Sequence, residues 1–384
     1  MSDLETFKKD VQAYIAEHLP GHLRFGNKPG LPEDDLNRWF AAMAERGWVT
    51  PNWPTEYGGG GLDRAHTAAL RAELRAVDAP TPSHPGISMI GPVLLDIGTE
   101  EQKREHLARI SRNETFWCQG FSEPGAGSDL ASLQTRAELN GDEYVVNGSK
   151  IWTSGAHKAD WVFCLVRTDP DVPKHAGISM LLIDMHQPEI EVSPLRLIDG
   201  TAEFNQVFFD NAKAGANQIV GDVNGGWEVS RRILQYERST DIHDVIIFEA
   251  KETILELLQR EVGMEGDRLA DATLRERLAA HQIDARGLDL TMRRAGEEVK
   301  AGQQRRDISS IGKYRWGDMM KEESDIAMQA AGVNGLGWEG DGFSPEQLQW
   351  ARDWLFTRSH SIWGGTHEIQ KNVIAKRVLD IPEK

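Results

Sequence analysis

Two regions with helical periodicity enclose a central block of short strand-like runs, and this order is the strongest constraint on the fold. The central block, residues 114–224, contains β-branched and aromatic runs separated by turn residues. Asn140-Gly141 and Asn147-Gly148 separate its first three runs, and both residue types tolerate the positive φ of a tight hairpin turn. We therefore expect an antiparallel sheet or small barrel there, with hairpin turns at both pairs.

Periodicity locates the individual elements. The predicted strands are Gln134–Leu139, Glu143–Val146, Ser149–Trp152, Trp161–Arg167, Ile178–Asp184 and Asn205–Phe209. Predicted helices include one with Leu4, Phe7, Val11, Tyr14 and Ile15 on one face, one from Pro32 to Gly47, Ala65–Val77, Glu100–Ile110, Trp227–Gln235, Val245–Glu261, Arg275–Arg305, Ile308–Gln329, Pro345–Phe356 and Ile362–Leu379. The expected fold class is α+β: an N-terminal α-helical domain (1–113), a central antiparallel β domain (114–224) and a C-terminal four-helix bundle (225–384).

Composition excludes several classes of protein. Among the 384 residues, 40% are hydrophobic and 27% charged, which is ordinary globular usage and rules out wholesale disorder. The net charge of −17 disfavours nucleic acid as a partner, because such a chain repels phosphate. Cys118 and Cys164 cannot form a disulfide framework or a four-thiolate metal site. With no long apolar run and an acidic start, we expect a cytoplasmic protein that does not bind membranes or a structural metal.

Two segments of the central block combine small residues with hydroxyl side chains. In Ser122–Leu130 (SEPGAGSDL) the glycines let the backbone come close to a flat or anionic group. In Asn147–Trp161 (NGSKIWTSGAHKADW) the indole of Trp152 ends a strand, where it could stack on a planar ring. Taken one at a time, a tight loop and a core tryptophan are the simpler explanations.

Two C-terminal segments place carboxylates beside apolar residues. Glu237, in a QYER segment, has the pattern of a solvated acid or ion-pair partner, and acts as a base only if a pocket desolvates it. Further on, Gly364-Gly365 precede a helix with Thr366 and Glu368 in its first turn, which is also the pattern of an ordinary capped helix.

In this order and spacing, the four segments resemble those of the acyl-CoA dehydrogenase family, over essentially the whole chain. The segments SEPGAGSDL and NGSKIWTS are similar to the two flavin-binding stretches of the family. Three further segments fit the family pattern: Gly226-Trp227, Gln329–Gly337 (QAAGVNGLG) and the terminal GT-x-E-I-Q. The resemblance implies a FAD-dependent oxidoreductase that dehydrogenates an acyl-CoA thioester between its α and β carbons. FAD is then expected between the β domain and the C-terminal bundle.

The resemblance also implies which residues contact FAD. The isoalloxazine edge is expected to contact Gln119, Phe121 and Ser122, and the flavin phosphate and the thioester are expected near Gly127 and Ser128. The flavin ring and its N5 are expected beside Trp152 and Ser154, and the segment after the C-terminal glycine turn contributes Thr366 and Glu368. Ser128 is in addition a predicted substrate contact.

The catalytic base is expected at Glu237. Many family members carry a glutamate immediately before the terminal Gly-Thr, and Gly364 stands at that place here. A minority branch, including isovaleryl-CoA and long-chain dehydrogenases, carries the base in a Glu-Arg motif after the β domain, which Glu237-Arg238 matches. Glu237 would remove the α-proton while the β-hydride moves to flavin N5. Arg238 is a predicted substrate-binding residue that orients Glu237 or CoA.

One departure from the family bears on assembly. Family homotetramers usually carry an Arg-x-x-Phe-Gly stretch that holds a neighbour's flavin pyrophosphate, whereas Gln259–Asp271 (QREVGMEGDRLAD) has Arg260 without Phe-Gly. In this the chain resembles the heteromeric enzymes of bacterial steroid side-chain degradation. We therefore expect a homotetramer or an α2β2 heterotetramer in which a partner subunit completes the FAD site. The expected substrate is a branched or bulky, steroid side-chain-like acyl-CoA, and the expected electron acceptor is an electron-transfer flavoprotein.

Two alternatives remain within the same fold. One is a flavoenzyme with other chemistry, of the desulfinase or nitroalkane oxidase type, against which the proton-abstracting Glu237 argues mildly. The other is a non-catalytic subunit of a heteromeric dehydrogenase, which would be expected to have eroded flavin loops, and those of this chain are intact.

Overall fold

The computed structural model describes residues 3–24, 32–245, 253–303 and 308–382; the side chains of residues 237–245, 299 and 300 lie outside the described set. The chain divides into two compact units. The first contains residues 1–195 and 203–237, and the second contains residues 196–202 and 238–384. Each unit has its own apolar core.

Helices form the N-terminal part of the first unit. They are α1 (Asp3–His18), α2 (Glu33–Glu45), α3 (Arg64–Ala76), α4 (Gly91–Ile97), α5 (Glu100–Gln102) and α6 (Ala108–Ser111), with π-helical turns at Gly86–Ile90 and Lys103–Leu107. The predicted stripes are buried, since Val11, Ile15, Trp39 and Met43 share one core with Leu70 of α3. The sequence missed α4 because its surroundings, with Gly86, Gly91 and Pro92, resemble helix breakers.

A seven-stranded sheet forms the rest of the first unit. Its strands are β1 (Trp117–Gly120), β2 (Arg136–Asn140), β3 (Glu143–Ser154), β4 (Trp161–Arg167), β5 (Ile178–Asp184), β6 (Ile190–Pro194) and β7 (Phe204–Gly215). They are ordered β1-β4-β2-β3-β7-β6, with β5 also paired to β4. Pairing is antiparallel except that β1 and the first residue of β2 pair in parallel with β4. The strand β6 was not among the predicted runs.

The central strand β4 is buried on both faces. Phe163 and Leu165 belong to one core, together with the N-terminal part of the following helix α7 (Gly226–Val245), whereas Val162 and Cys164 belong to the core on the opposite face. Alternate residues pointing to opposite faces explain this division. Because it is covered on both sides, β4 gives a buried base to β1, the strand that leads into the Ser122–Leu130 segment.

The first predicted hairpin turn is confirmed and the second is wrong. β2 and β3 are antiparallel and meet at Asn140 and Glu143, with Gly141 at φ +67°. At Asn147-Gly148, by contrast, β3 continues without a turn, and its pairing with β7 shifts by one residue. This shift is a β-bulge whose extra residue is Asn211 of β7, at φ +63°. Glycine is required at position 148 because a Cβ there would lie 2.7 Å from the backbone of Thr135.

The second unit is helical. After the last residues of α7 it contains α8 (Ile254–Val262), α9 (Ala272–Lys300), α10 (Ile308–Ala331), α11 (Pro345–Thr357) and α12 (His367–Val373), with a two-stranded hairpin of β8 (Met264–Glu265) and β9 (Arg268–Leu269). The start of the predicted helix Val245–Glu261 lies partly outside the described residues. The predicted final helix begins at His367 rather than Ile362, because Gly364 and Gly365 adopt φ of +65° and +90°. No helix in the described ranges is both long and apolar enough to cross a membrane.

Candidate functional site

A buried ion pair ties the two glycine- and hydroxyl-rich segments of the β domain together. The Lys150 Nζ, fully buried, lies 2.7 Å from Glu123 Oε1 and donates to the Phe121 carbonyl at 3.2 Å. Glu123 also accepts the backbone N–H groups of Gln134 at 2.6 Å and Thr135 at 2.9 Å. Both buried charges are therefore partnered by polar groups of the first unit.

The electrostatics of this pair favour the ionised carboxylate. Burial acts to raise the pKa of Glu123, but the Lys150 ammonium and the hydrogen bonds from Lys150, Thr135 and Gln134 outweigh it and hold the pKa below its usual value. A carboxylate with a depressed pKa in the folded state contributes stability above its unfolded pKa, about 4.3. That contribution is lost as the pH falls through the lower, folded pKa.

Next to the ion pair, a second bulge in β3 turns Trp152 outward. The pairing of β3 with β7 shifts between Lys150 and Thr153, and Trp152 adopts φ +61°. Its indole is 56% exposed and meets Phe204 edge-on, with ring centroids 6.3 Å apart. A bulky residue in the left-handed region is strained, and such strain concentrates at functional sites. The explanation of Trp152 as a core tryptophan is therefore wrong.

A buried asparagine holds the chain directly after this indole. Asn205 of β7 donates from Nδ2 to the carbonyls of Thr153 at 3.1 Å and Glu203 at 3.2 Å. Gly155, at φ +65°, donates its N–H back to the Glu203 carbonyl at 3.1 Å. The hydroxyl-bearing Ser154 of this turn is exposed. The turn therefore presents an indole and a hydroxyl to the surroundings from a backbone that is bonded on its inner side.

The Ser122–Leu130 segment presents open backbone next to the same strand. Ser122 accepts the N–H of Ile151 at 2.8 Å, which aligns this segment with β3. Glu123 and Ala126 then close a tight turn by exchanging two backbone hydrogen bonds of 3.0 Å. Beyond that turn, Gly127 and Ser128 are exposed, and a Cβ built on Gly127 meets no atom within 4 Å. A flat or anionic group could therefore approach the backbone here closely.

The other predicted flavin contacts on this side differ in exposure. Gln119, on β1, is half-buried, and Phe121 is almost fully buried in the core that includes Phe163. Phe121 and Phe163 meet edge-on with centroids 6.0 Å apart. Phe121 therefore offers its backbone more readily than its ring, and its carbonyl is already an acceptor for Lys150.

In the second unit, the predicted C-terminal contacts lie at the start of α12. Thr366 is its N-cap and accepts the Ile369 N–H at 3.3 Å, as predicted. Hydrogen bonds from its own backbone N–H and from Thr366 lower the pKa of the exposed Glu368. The buried Gln370 donates to the Gly364 carbonyl at 3.1 Å and so fixes the glycine turn before the helix.

Around that glycine turn the structure places a cation. Lys313 donates to the His360 carbonyl, and its ammonium lies 5.4 Å from the centre of the Trp363 ring. Burial and then the nearby Lys321 lower the pKa of Lys313. A Cβ on Gly364 would lie 3.3 Å from the Lys313 Cε. A glutamate side chain at position 364 would thus need a strained backbone and would lie beside an ammonium.

The predicted base lies at the end of the described side chains. Glu237 and Arg238 are residues of α7, which begins at Gly226, one residue before the predicted start, and continues beyond the predicted end at Gln235, but their side chains lie outside the described set. The preceding residue, Tyr236, is described and is attached to the first unit. Its hydroxyl donates to the Asp96 carboxylate on α4 at 2.5 Å.

The segment that departs from the family pattern forms the β8–β9 hairpin. Arg260, on α8 before it, lies 2.9 Å from Glu261 and 3.5 Å from Glu346, and stacks over Trp350 at 5.8 Å. This arginine is therefore engaged with carboxylates of its own unit. In the described ranges, no three His, Cys, Asp or Glu side chains are grouped to hold a metal ion.

Comparison with known proteins identifies the family. Acyl-CoA dehydrogenase family models match along the chain: the N-terminal domain at residues 1–114, the middle domain at 118–212 and the C-terminal domain at 224–379. The chain belongs to the acyl-CoA dehydrogenase family. The acyl-CoA dehydrogenase IpdE1 of Mycobacterium tuberculosis is 37% identical over 393 residues, covering 100% of this chain and 99% of that protein.

Similar solved structures also indicate the acyl-CoA dehydrogenase family. One described as the Tcur3481-Tcur3483 steroid ACAD has a TM-score of 0.80 at 26% identity, and covers 100% of this chain and 99% of its own. The ChsE4-ChsE5 complex from Mycobacterium tuberculosis has a TM-score of 0.78 at 26% identity, with 100% and 99% covered. The predicted fold class is confirmed, and the chain is an acyl-CoA dehydrogenase, an oxidoreductase.

Several residues that shape the site carry no sequence signal of their role. The two motifs contain Glu123 and Lys150, but nothing in the motifs indicates the ion pair that connects them. Asn205 was predicted only as part of a strand, and its amide holds the turn after Trp152. A lysine inside an alternating strand run is the one available hint, because a charge at an inward position needs a partner.

We expect Lys150→Met to destabilise the protein strongly. The substitution keeps most of the side-chain volume but leaves the Glu123 carboxylate buried without its cation, which costs about 3–5 kcal/mol. The matched control is Lys174→Met, which breaks the exposed 2.7 Å pair with Asp129 in the same unit and should cost at most about 1 kcal/mol. Urea unfolding followed by tryptophan fluorescence measures both, and equal losses would contradict a dominant role for the buried pair.

Proposed function

We propose that this chain catalyses the FAD-dependent α,β-dehydrogenation of an acyl-CoA thioester, with Glu237 as the base that removes the α-proton. The main support for the proposal is the half-exposed indole of Trp152, which a bulge in β3 holds at φ +61°. A buried ion pair connects the segment that contains Trp152 to the Ser122–Leu130 segment. Core packing does not explain the strain at Trp152, because the indole is more than half exposed, and a planar ligand for the indole gives it a purpose.

The residues described fit FAD. The Trp152 indole supplies a face for a flat ring, and the exposed hydroxyls of Ser154 and Ser128 supply hydrogen bonds at its polar edges. Gly127, with open space at its Cβ position, allows a phosphate or ring edge to reach the backbone. When bound, FAD supplies the chemistry of accepting the β-hydride, which no amino-acid side chain can do.

The protein's own residues supply proton transfer and orientation. Glu237 takes the α-proton, a general-base step that typically contributes 10²–10⁴-fold to the rate. Two features of the second unit argue against a base at position 364 and so support Glu237: the φ of +65° at Gly364, and the Lys313 side chain beside it. Arg238, next to the base, would orient Glu237 or the CoA, and Ser128 would contact the thioester.

The proposed substrate is a branched or bulky acyl-CoA of the steroid side-chain type. The support is the similarity to a structure described as a steroid ACAD, at 26% identity over the whole chain. With glycine at position 364, that turn carries no side chain to occupy space near the acyl group. An electron-transfer flavoprotein is the proposed electron acceptor. The cytoplasm is the proposed compartment, since both cysteines are free thiols.

Replacing Trp152 by glycine should separate ligand binding from stability. Glycine adopts φ +61° without strain, so the unfolding free energy should change by no more than about 1 kcal/mol. Loss of ring stacking should weaken FAD binding about tenfold. Calorimetric titration of the deflavinated protein with FAD measures the affinity, and thermal unfolding measures the stability.

The control for this change is Asp78→Gly, at an exposed residue with φ +50° in the same unit. It relieves the same kind of backbone strain and should leave FAD affinity unchanged. Unaltered FAD affinity in Trp152→Gly would contradict the proposed flavin contact.

Glu237→Gln should bind as much FAD as the wild type in the same preparation but lose reduction of that FAD by substrate. Removing the base lowers the rate by 10²–10⁴-fold because the amide cannot accept the α-proton. The assay is anaerobic bleaching of the flavin band by a panel of butyryl-, isovaleryl-, glutaryl- and steroid side-chain acyl-CoA. Glu228→Gln is the matched control, since Glu228 lies in the first turn of the same helix and pairs with Arg231 on the surface. Bleaching at the wild-type rate by Glu237→Gln would exclude this base.

We further propose that a partner subunit completes the FAD site in an α2β2 assembly, with a homotetramer as the alternative. The support is the engagement of Arg260 with Glu261 and Glu346, the acidic β8–β9 hairpin, and the similarity to the ChsE4-ChsE5 complex. Acidic side chains are poor partners for a pyrophosphate.

The chain purified alone, incubated with excess FAD and gel-filtered, should therefore retain well below one FAD per chain. Absorbance gives the stoichiometry and analytical ultracentrifugation the oligomeric state. A lone tetramer that keeps one FAD per chain with full turnover would refute the need for a partner.

A further inference from the structure

Directly before the proposed base, one side chain of α7 joins that helix to α4 within the first unit. Val229, Ile233 and Tyr236 follow each other at i, i+4 and i+7 along α7, and so share one face of the helix. Val229 and Ile233 are buried in the core that also contains α4, and Tyr236 packs against the same core. The Tyr236 ring therefore lies on the packed face, and Glu237 follows it by about 100° around the helix.

The Tyr236 hydroxyl ends in a short, charge-assisted hydrogen bond. It donates to Asp96 Oδ2 at 2.5 Å, a length typical of a hydroxyl bonded to a carboxylate. Asp96 lies on α4, whose Val93 and Leu94 are fully buried in that core. The bond thus joins two elements 140 residues apart in sequence, both of which are fixed by packing.

This hydrogen bond keeps its direction over the physiological pH range. Burial first, and then the hydrogen bond to Asp96 and its negative charge, raise the pKa of Tyr236 to about 12, against a smaller lowering by Arg232 one turn earlier. The phenol therefore stays protonated and always acts as the donor. The tether is a permanent one rather than a switch.

We propose that the Tyr236–Asp96 hydrogen bond is a positioning device that fixes the turn of α7 carrying Glu237 for proton abstraction. The proposal rests on the assignment of Glu237 as the base. Neither Tyr236 nor Asp96 needs to touch the substrate, because the bond acts through the backbone of the next residue. Misplacement of a reacting group by about 1 Å can lower a rate 10²-fold, so a loosened turn should reduce the chemical step and leave substrate binding nearly intact.

The test uses Tyr236→Phe, Asp96→Asn and the double variant in the FAD-loaded protein. Both single variants keep the shape of their side chains, so the packing of α4 and α7 should survive. We expect kcat to fall 10–100-fold in each with KM changed less than about threefold. The double variant should be no slower than either single variant, because both remove the same bond. The substrate is the acyl-CoA that bleaches the wild-type flavin fastest in the panel above.

Tyr57→Phe is the matched control. Tyr57 donates to Glu100 Oε2 at 3.2 Å, which is also a bond between a tyrosine and a helix carboxylate in the first unit. Its loss should leave kcat within twofold of the wild type. Thermal unfolding of all four variants separates a positioning effect from a loss of folded protein.

A second readout does not depend on catalysis or on bound FAD. Near-ultraviolet absorbance follows tyrosine ionisation, and Asp96→Asn should move one tyrosine to a lower titration pH than in the wild type. Tyr236→Phe should remove that same step. Its persistence at the wild-type pH in Asp96→Asn would contradict the tether.

The outcomes distinguish the inference from the proposed function. Wild-type kcat in both Tyr236→Phe and Asp96→Asn would overturn the positioning role and leave the dehydrogenase function standing. A kcat loss that only matches the fraction of unfolded protein would overturn it as well. A yellow wild-type protein that no acyl-CoA reduces would overturn the proposed function and, with it, this inference.

Discussion

The ion pair between Lys150 and Glu123 is the interaction on which the arrangement of the β domain site depends. It joins the strand that carries Trp152 to the loop that carries Ser128, through a bond from which water is excluded. Removing either partner would leave a buried charge without compensation, so the ion pair holds the two segments together only when both residues are present. The carboxylate also accepts N–H groups at Gln134 and Thr135, which anchors the loop to the start of β2 as well.

Next to that rigid connection, β3 can hold a strained residue. The bulge at Trp152 places a large aromatic side chain in the left-handed region at a cost of about 1–2 kcal/mol. The Asn205 amide and the buried Lys150 on either side hold the backbone in this conformation. This conformation therefore costs folding free energy and positions an exposed indole, which is expected of a binding surface rather than of a core.

The sequence predicted the fold well where periodicity was strong and failed where one residue pattern has two structural outcomes. An Asn-Gly pair fits a hairpin turn, as at Asn140, and also the interior of a continuous strand, as at Asn147, which lies opposite the Asn211 bulge of β7. The motifs located the candidate flavin segments, but the pairing of Lys150 with Glu123 depends on a register that no local pattern encodes.

The strained, exposed Trp152 is proposed to form part of the flavin site. A crystal structure of the FAD-loaded protein tests it most directly, because it shows where the isoalloxazine ring lies. We expect the Trp152 indole against that ring, with centroids about 4.5–7 Å apart. A flavin bound elsewhere, with the Trp152 indole left in solvent, would contradict it.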